Sequence, residues 1–411
     1  MVAWDFLLGN PHCSAANTSY PTGHVRWGLA GTAHAVSTLH IDSDGFATFV
    51  QVMCGKKLWA VYRPSPKLPL SNNDAFLLSD FFQLDRIPPK ATSGLEAVVL
   101  RPGDLLYVTI LSFSFNNLII LYRLMRPGVP HFVYGLESAI THGGHFYSSS
   151  LMQATLQSLV HTFVLSDFIS NMFHYPSRQL LRHIVTFWGF GLLEKCITPQ
   201  GASAAIIHCE CWIVVSDDEY LHLPDVLTTD GLLDLISGCT LAILGNVLDF
   251  RTYCAPNQGE ADPTRREQQS LWKKFNRNNI PGDERMAICY TCGIALAVFK
   301  WIRRWCIVKT PDGEIIEDLP SQYMVTLLGS LLAYKSKADQ RKLKGAPHCA
   351  LWMLKAQVSN VVECDRSVKK LWEERKGKSS DTLGITLVEG CMVEWSEDLP
   401  NSVSQPGGLF V

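Results

Sequence analysis

The chain has 411 residues, more than one ordinary domain needs, and a formal net charge of −2, which excludes a protein that holds nucleic acid by bulk positive charge. Apolar residues make up 47%, ample for buried cores, while charged residues reach only 18%, so the surface is expected to carry apolar area or to pack against a partner. The amino-terminal segment lacks the basic start and unbroken apolar run of a secretory signal, so the 13 cysteines are read as reduced thiols in a nuclear or cytoplasmic protein.

In chain order, the first informative segment is TLHIDSDGFATFV, residues 38–50. Side chains alternate faces along a strand, so His40 and Asp42 are expected on one face with Ile41 on the other, able to grip one metal ion. CGKKLWAVY follows at 54–62, where alternation puts Lys57, Trp59 and Val61 on one face. A lysine pointing into a β core is costly unless an anion meets it there. LRPGDLLY, residues 100–107, reads as a turn entering a strand, and RPGVPHFVYG, residues 126–135, as a turn leading into a strand that begins at His131. Two imidazoles and one carboxylate on a single face leave three positions of an octahedral iron open, the facial arrangement of non-heme Fe(II) oxygenases.

Between residues 107 and 125 stand seventeen residues, VTILSFSFNNLIILYRL, without an acidic side chain. They fall short of the roughly 20 apolar residues that span a hydrocarbon core, and a crossing there would part His131 from His40 and Asp42, so no membrane segment is expected. Against the family pattern that the flanking motifs resemble, in which the GDLLY strand runs almost at once into the turn before the distal histidine, the segment is an insertion, either a hairpin or a translated intron, and the abrupt join to intact motifs on both sides favours the intron.

Together these residues resemble the Jumonji-C (JmjC) family of Fe(II)- and 2-oxoglutarate-dependent oxygenases, over roughly residues 26–147 and on the stretches WGLAGTAHAVSTLHIDSDGFATFVQVMCGKKLW, LRPGDLLY and RPGVPHFVYGLESAITHGGHFY. The resemblance implies a double-stranded β-helix of jelly-roll type, with His40, Asp42 and His131 as iron ligands and Lys57 on the distal carboxylate of 2-oxoglutarate. It places Ser37, three residues before the first histidine, with Thr38 and Thr48, as further residues lining the cosubstrate pocket. His142 and His145 are read as turn and packing residues. The implied activity is hydroxylation or demethylation of a protein substrate, a histone or other chromatin protein among the candidates, with no direct nucleic-acid binding. The alternative is a catalytically inactive barrel that serves as an interaction scaffold.

Beyond residue 147 the pattern changes to apolar residues three and four apart, so the fold class is α+β: a jelly-roll domain at 1–150 with the 108–124 insertion, then a helical region at 151–376. Helices are expected over 148–173 with Ser148–Ser150 as caps, then 177–195, 232–250, 264–278, 285–306, 322–334 and 359–375. Residues 251–262 and 309–320 read as loops, and 377–411 as a loosely ordered tail. A zinc site joining His208, Cys209 and Cys211 to Cys289 and Cys292 is possible by residue type, but cysteines three apart on an apolar helix read better as packing residues.

Overall fold

The computed structural model describes residues 22–62, 95–106, 125–165, 174, 177–195, 223–253, 280–341, 349–375 and 382–396. Among the described residues the amino-terminal half holds eight strands: β1 (Arg26–Gly31), β2 (Val36–His40), β3 (Ala47–Cys54), β4 (Lys57–Tyr62), β5 (Leu95–Leu100), β6 (Leu105–Leu106), β7 (His131–Gly135) and β8 (Ala139–Phe146). They form two four-stranded antiparallel sheets, ordered β1-β8-β3-β6 and β2-β7-β4-β5. The first strand therefore pairs with the last, the second with the seventh, the third with the sixth and the fourth with the fifth. One apolar cluster joins Val50, Val52 and Leu106 of the first sheet to Trp59, Leu100 and Val133 of the second, so the sheets face each other across a shared interior.

The β3–β4 turn shows why glycine stands before the lysines. Gly55 has φ +75°, and a Cβ there would lie 2.1 Å from the Ser138 carbonyl oxygen. The register of β6 is equally informative. Leu105 and Leu106 pair with Gln51 and Val50, and the next bridge on β3 joins Thr48 to Met125. Counting along β3 from Val50 to Thr48 calls for residue 108 at that bridge, and Met125 fills the place seventeen positions later. The ladder thus resumes in phase across residues 108–124, which lie outside the described residues.

Seven helices of two turns or more follow among the described residues: α1 (Met152–Leu165), α2 (Arg178–Phe190), α3 (Thr229–Ile243), α4 (Gly282–Trp305), α5 (Leu319–Gln340), α6 (Leu351–Glu363) and α7 (Arg366–Glu374). Their apolar faces meet in one large core containing Leu156, Phe163, Trp188, Ile236, Phe299 and Tyr323. Ile41, from the loop after β2, belongs to this same core, so the two halves share an interface.

Several expectations need correction. The first helix starts at Met152 rather than 148. Ser148 makes no side-chain cap; the carboxylate of Asp234, reaching over from α3, accepts from the Gln153 N–H at 2.9 Å and serves the first turn of α1 instead. The single helix expected over 359–375 is two, α6 and α7, because Asp365 takes the N-cap of α7 and accepts from the N–H groups of Ser367 and Val368. The loop expected at 309–320 holds β10 (Ile315–Ile316), which pairs with β9 (Cys306–Lys309). The tail is docked where it is described: β11 (Met392–Trp395) adds to the other edge of β9, and Leu383 is fully buried. Short strands of this kind have no periodic signature of their own and form only where a partner edge is offered. The helix expected at 264–278 lies outside the described residues.

Candidate metal centre

β2 ends at His40, so Asp42 lies just past the strand rather than on it. The pairing expected from strand alternation is reached by another route: Ile41 turns into the helical core while His40 and Asp42 remain on the opposite side. His40 pairs with His131, the first residue of β7, and their ring centroids are 4.3 Å apart. His131 Nε2 lies 4.0 Å from Asp42 Oδ1. The ligand atoms of His40, Asp42 and His131 all fall within 4.8 Å of one another, so this group could hold a metal ion.

Hydrogen bonds fix the orientation of all three. His40 Nδ1 lies 2.6 Å from the Thr38 carbonyl oxygen and His131 Nδ1 lies 3.0 Å from that of Val129. A carbonyl only accepts, so each Nδ1 carries the proton and each Nε2 keeps its lone pair for a metal. Burial holds the His131 imidazole below its ordinary pKa against the pull of Asp42, which favours the neutral form that ligates. On the carboxylate, Thr48 Oγ1 donates to Asp42 Oδ2 at 2.5 Å, leaving Oδ1 toward the histidines. Burial raises the Asp42 pKa, yet His131, His145, the Thr48 hydroxyl and His40 together outweigh it, and the carboxyl is held below its ordinary value.

His145 is a residue that sequence reasoning misplaced. It lies within β8 beside Thr48 on β3, and its Nδ1 is 2.8 Å from Thr48 Oγ1. Because that hydroxyl gives its proton to Asp42, it accepts from His145, making a relay from imidazole to hydroxyl to carboxylate. His145 also stacks on Phe46 at 5.0 Å. Through Thr48 it fixes the Asp42 carboxylate, whereas His142 is exposed and packs edge-on against Phe49. The one available signal was parity, since Thr141, Gly143 and His145 share a face that Thr141 and Gly143 bury.

The loop after Asp42 is clamped by the helical half. Asp44 is fully buried with left-handed backbone, φ 57°, and its carboxylate accepts from Arg178 Nε at 3.0 Å and from the His174 N–H at 2.5 Å. Arg178 continues to the Leu248 carbonyl at 2.7 Å. Gly45 follows with φ +68°, and a Cβ there would lie 2.6 Å from the Thr155 carbonyl oxygen of α1. Thr155 Oγ1 in turn donates to the Gly45 carbonyl, and Tyr147 to that of Asp44.

Of the remaining expected residues, Ser37 and Lys57 lie in rows along the same interior. His40, His131 and Val61 form one cross-strand row; Ser37, Val133 and Trp59 form the next; Gly135 and Lys57 form the third. Ser37 thus faces the interior from an edge strand and is exposed, as is Thr38, which contributes its carbonyl. Trp59 stacks on His131 with ring centroids 5.5 Å apart and planes 13° apart. Lys57 reaches across to the other sheet, its Nζ donating to Thr141 Oγ1 at 3.4 Å, and burial lowers its pKa. Among the described residues no carboxylate pairs with it. Of the cysteines weighed for zinc, Cys292 packs at the margin of the helical core and Cys289 is exposed; His208, Cys209 and Cys211 lie outside the described residues. Set beside known proteins, the sequence matches no family model and no curated protein.

Proposed function

We propose that the chain is an Fe(II)- and 2-oxoglutarate-dependent oxygenase that hydroxylates a C–H bond of a protein substrate, or demethylates it where that bond lies on an N-methyl group of a histone or another chromatin protein. The observation that carries this reading is the convergence of His40 at the end of β2, Asp42 just beyond it and His131 at the start of β7, segments far apart in sequence. Eight strands paired first with last and inward to a central hairpin, then rolled into two facing sheets, fit a jelly roll. The metal would supply adjacent open positions for cosubstrate and oxygen.

The donor set fits such a group. Two Nε2 atoms and one carboxylate oxygen are presented together, and Lys57 sits in the interior without an anionic partner among the described residues. Four residues of strand separate Lys57 from Val61 in the ligand row, roughly 13 Å between Cα positions. His40, Asp42 and His131 would hold the metal, Thr48 and His145 would fix the carboxylate, and Lys57 would neutralise the far end of the diacid. The facing sheets would exclude bulk water.

The test is turnover. Protein loaded with Fe(II) is expected to convert 2-oxoglutarate to succinate, and His40→Ala to abolish the conversion while the helical half stays folded by circular dichroism. A folded, iron-loaded sample that yields no succinate overturns the oxygenase reading and leaves the scaffold.

A further inference from the structure

Among the described residues of the β half, Trp59 Nε1 is the sole fully buried side-chain nitrogen or oxygen without a hydrogen-bond partner. Its residue is 5% exposed and belongs to the cluster between the sheets. A buried tryptophan ordinarily finds an acceptor for its N–H, and leaving that donor unmade is costly when a phenylalanine would fill the space without the penalty. Position gives the orphan a meaning. Trp59 occupies the middle interior row, with the ligand histidines in the row on one side and Lys57 in the row on the other. Its ring lies against His131, so the side chain borders the path between the metal-row histidines and the half-buried Lys57 ammonium.

We infer that the Trp59 indole N–H is a positioning donor to an oxygen of the dicarboxylate that lies between Lys57 and the metal row. This rests on the reading of the centre as one that takes 2-oxoglutarate. Lys57 supplies charge to one end and Trp59 supplies a directed hydrogen bond along the way, so the pair would select a chain with carboxylate oxygens at both ends over a monocarboxylate. The stack on His131 keeps the indole plane fixed, which makes the donor directional.

The experiment uses the full chain loaded with Zn(II), a stand-in that binds nitrogen and oxygen ligands without oxygen chemistry. Affinity for 2-oxoglutarate is measured by calorimetry in the wild type and in Trp59→Phe, which keeps an aromatic ring against His131 and removes only the N–H. The variant is expected to bind 2-oxoglutarate roughly 10- to 100-fold more weakly, the range of one hydrogen bond to a charged acceptor, with Zn(II) affinity unchanged within about twofold. In wild-type protein labelled with ¹⁵N, the indole N–H resonance missing from the variant is expected to move downfield on adding 2-oxoglutarate, a change that simple packing would not produce. Equal affinities, or an unmoved resonance in wild type that does bind, overturn the inference and leave the oxygenase reading standing. Wild type that takes Zn(II) but no 2-oxoglutarate overturns both. Should Trp59→Phe fail to fold, the wild-type resonance decides alone.

Discussion

The β half and the helical half solve opposite problems with opposite means. The helical half buries large side chains in one continuous core, whereas the β half has a small apolar cluster and devotes much of its interior to histidine, threonine, aspartate and lysine. Polar groups inside a small core are tolerated only when something else fixes them. Here the helices supply that support, since Ile41, one place before Asp42, is anchored in their core and Asp44, two places after it, is tied to Arg178. The candidate metal centre is thus presented by strands and braced by helices.

Cutting the brace is the strongest way to break this contrast. Asp44→Ala leaves the Arg178 guanidinium buried without its carboxylate and is expected to destabilise the fold by about 3–5 kcal/mol. It is also expected to weaken metal binding by releasing the Asp42 loop. Chemical denaturation and metal titration check the two effects; a stable variant with unchanged metal affinity would show that the strands suffice.

A pH effect confined to the helical half comes next in size. His161 is buried on α1, with Nδ1 2.6 Å from the Tyr334 hydroxyl, and burial pushes its pKa down to about 4. The unfolded chain titrates near 6.5, so the stabilisation from keeping this ring neutral is full above that pH and is lost as pH falls toward 4. The expected loss is on the order of 3 kcal/mol, by linkage. Comparing urea unfolding of wild type and His161→Gln between pH 7 and pH 4.5 tests it: the variant's slope should be shallower over that interval, and parallel curves would reject the assignment.

The support around the carboxylate sets a smaller effect. Thr48→Val keeps the shape of the side chain and the backbone bonds to Met125 but removes the hydroxyl between His145 and Asp42. Metal affinity is expected to fall about 10- to 100-fold, as for other groups that orient a ligand, with little change in stability. Isothermal titration with Zn(II) reads it, and an affinity within twofold of wild type would remove Thr48 and His145 from the centre.

The smallest effect expected is from the largest change. Deleting residues 108–124 joins residue 107 to Met125 and leaves every β3–β6 pair in its register. Metal affinity and unfolding midpoint are expected to stay close to those of the full chain, because no described ladder bond is lost. A collapse of either would mean that the seventeen residues hold the sheet together.

What could be read from the amino acids was what depends on local order. Alternation set Lys57 and Trp59 on one face; the three- and four-residue spacing beyond 147 marked the helices. His40, Asp42 and His131 were visible as residue types able to ligate, because short motifs survive in one dimension. Only the tertiary structure decided that Asp42 sits beyond its strand and that Asp44 belongs to Arg178. It alone placed His145 beside the carboxylate through Thr48 and left the Trp59 N–H without an acceptor. Those facts arise from pairing between strands and helices roughly a hundred residues apart, and no periodicity along the chain encodes which distant neighbour a side chain will meet.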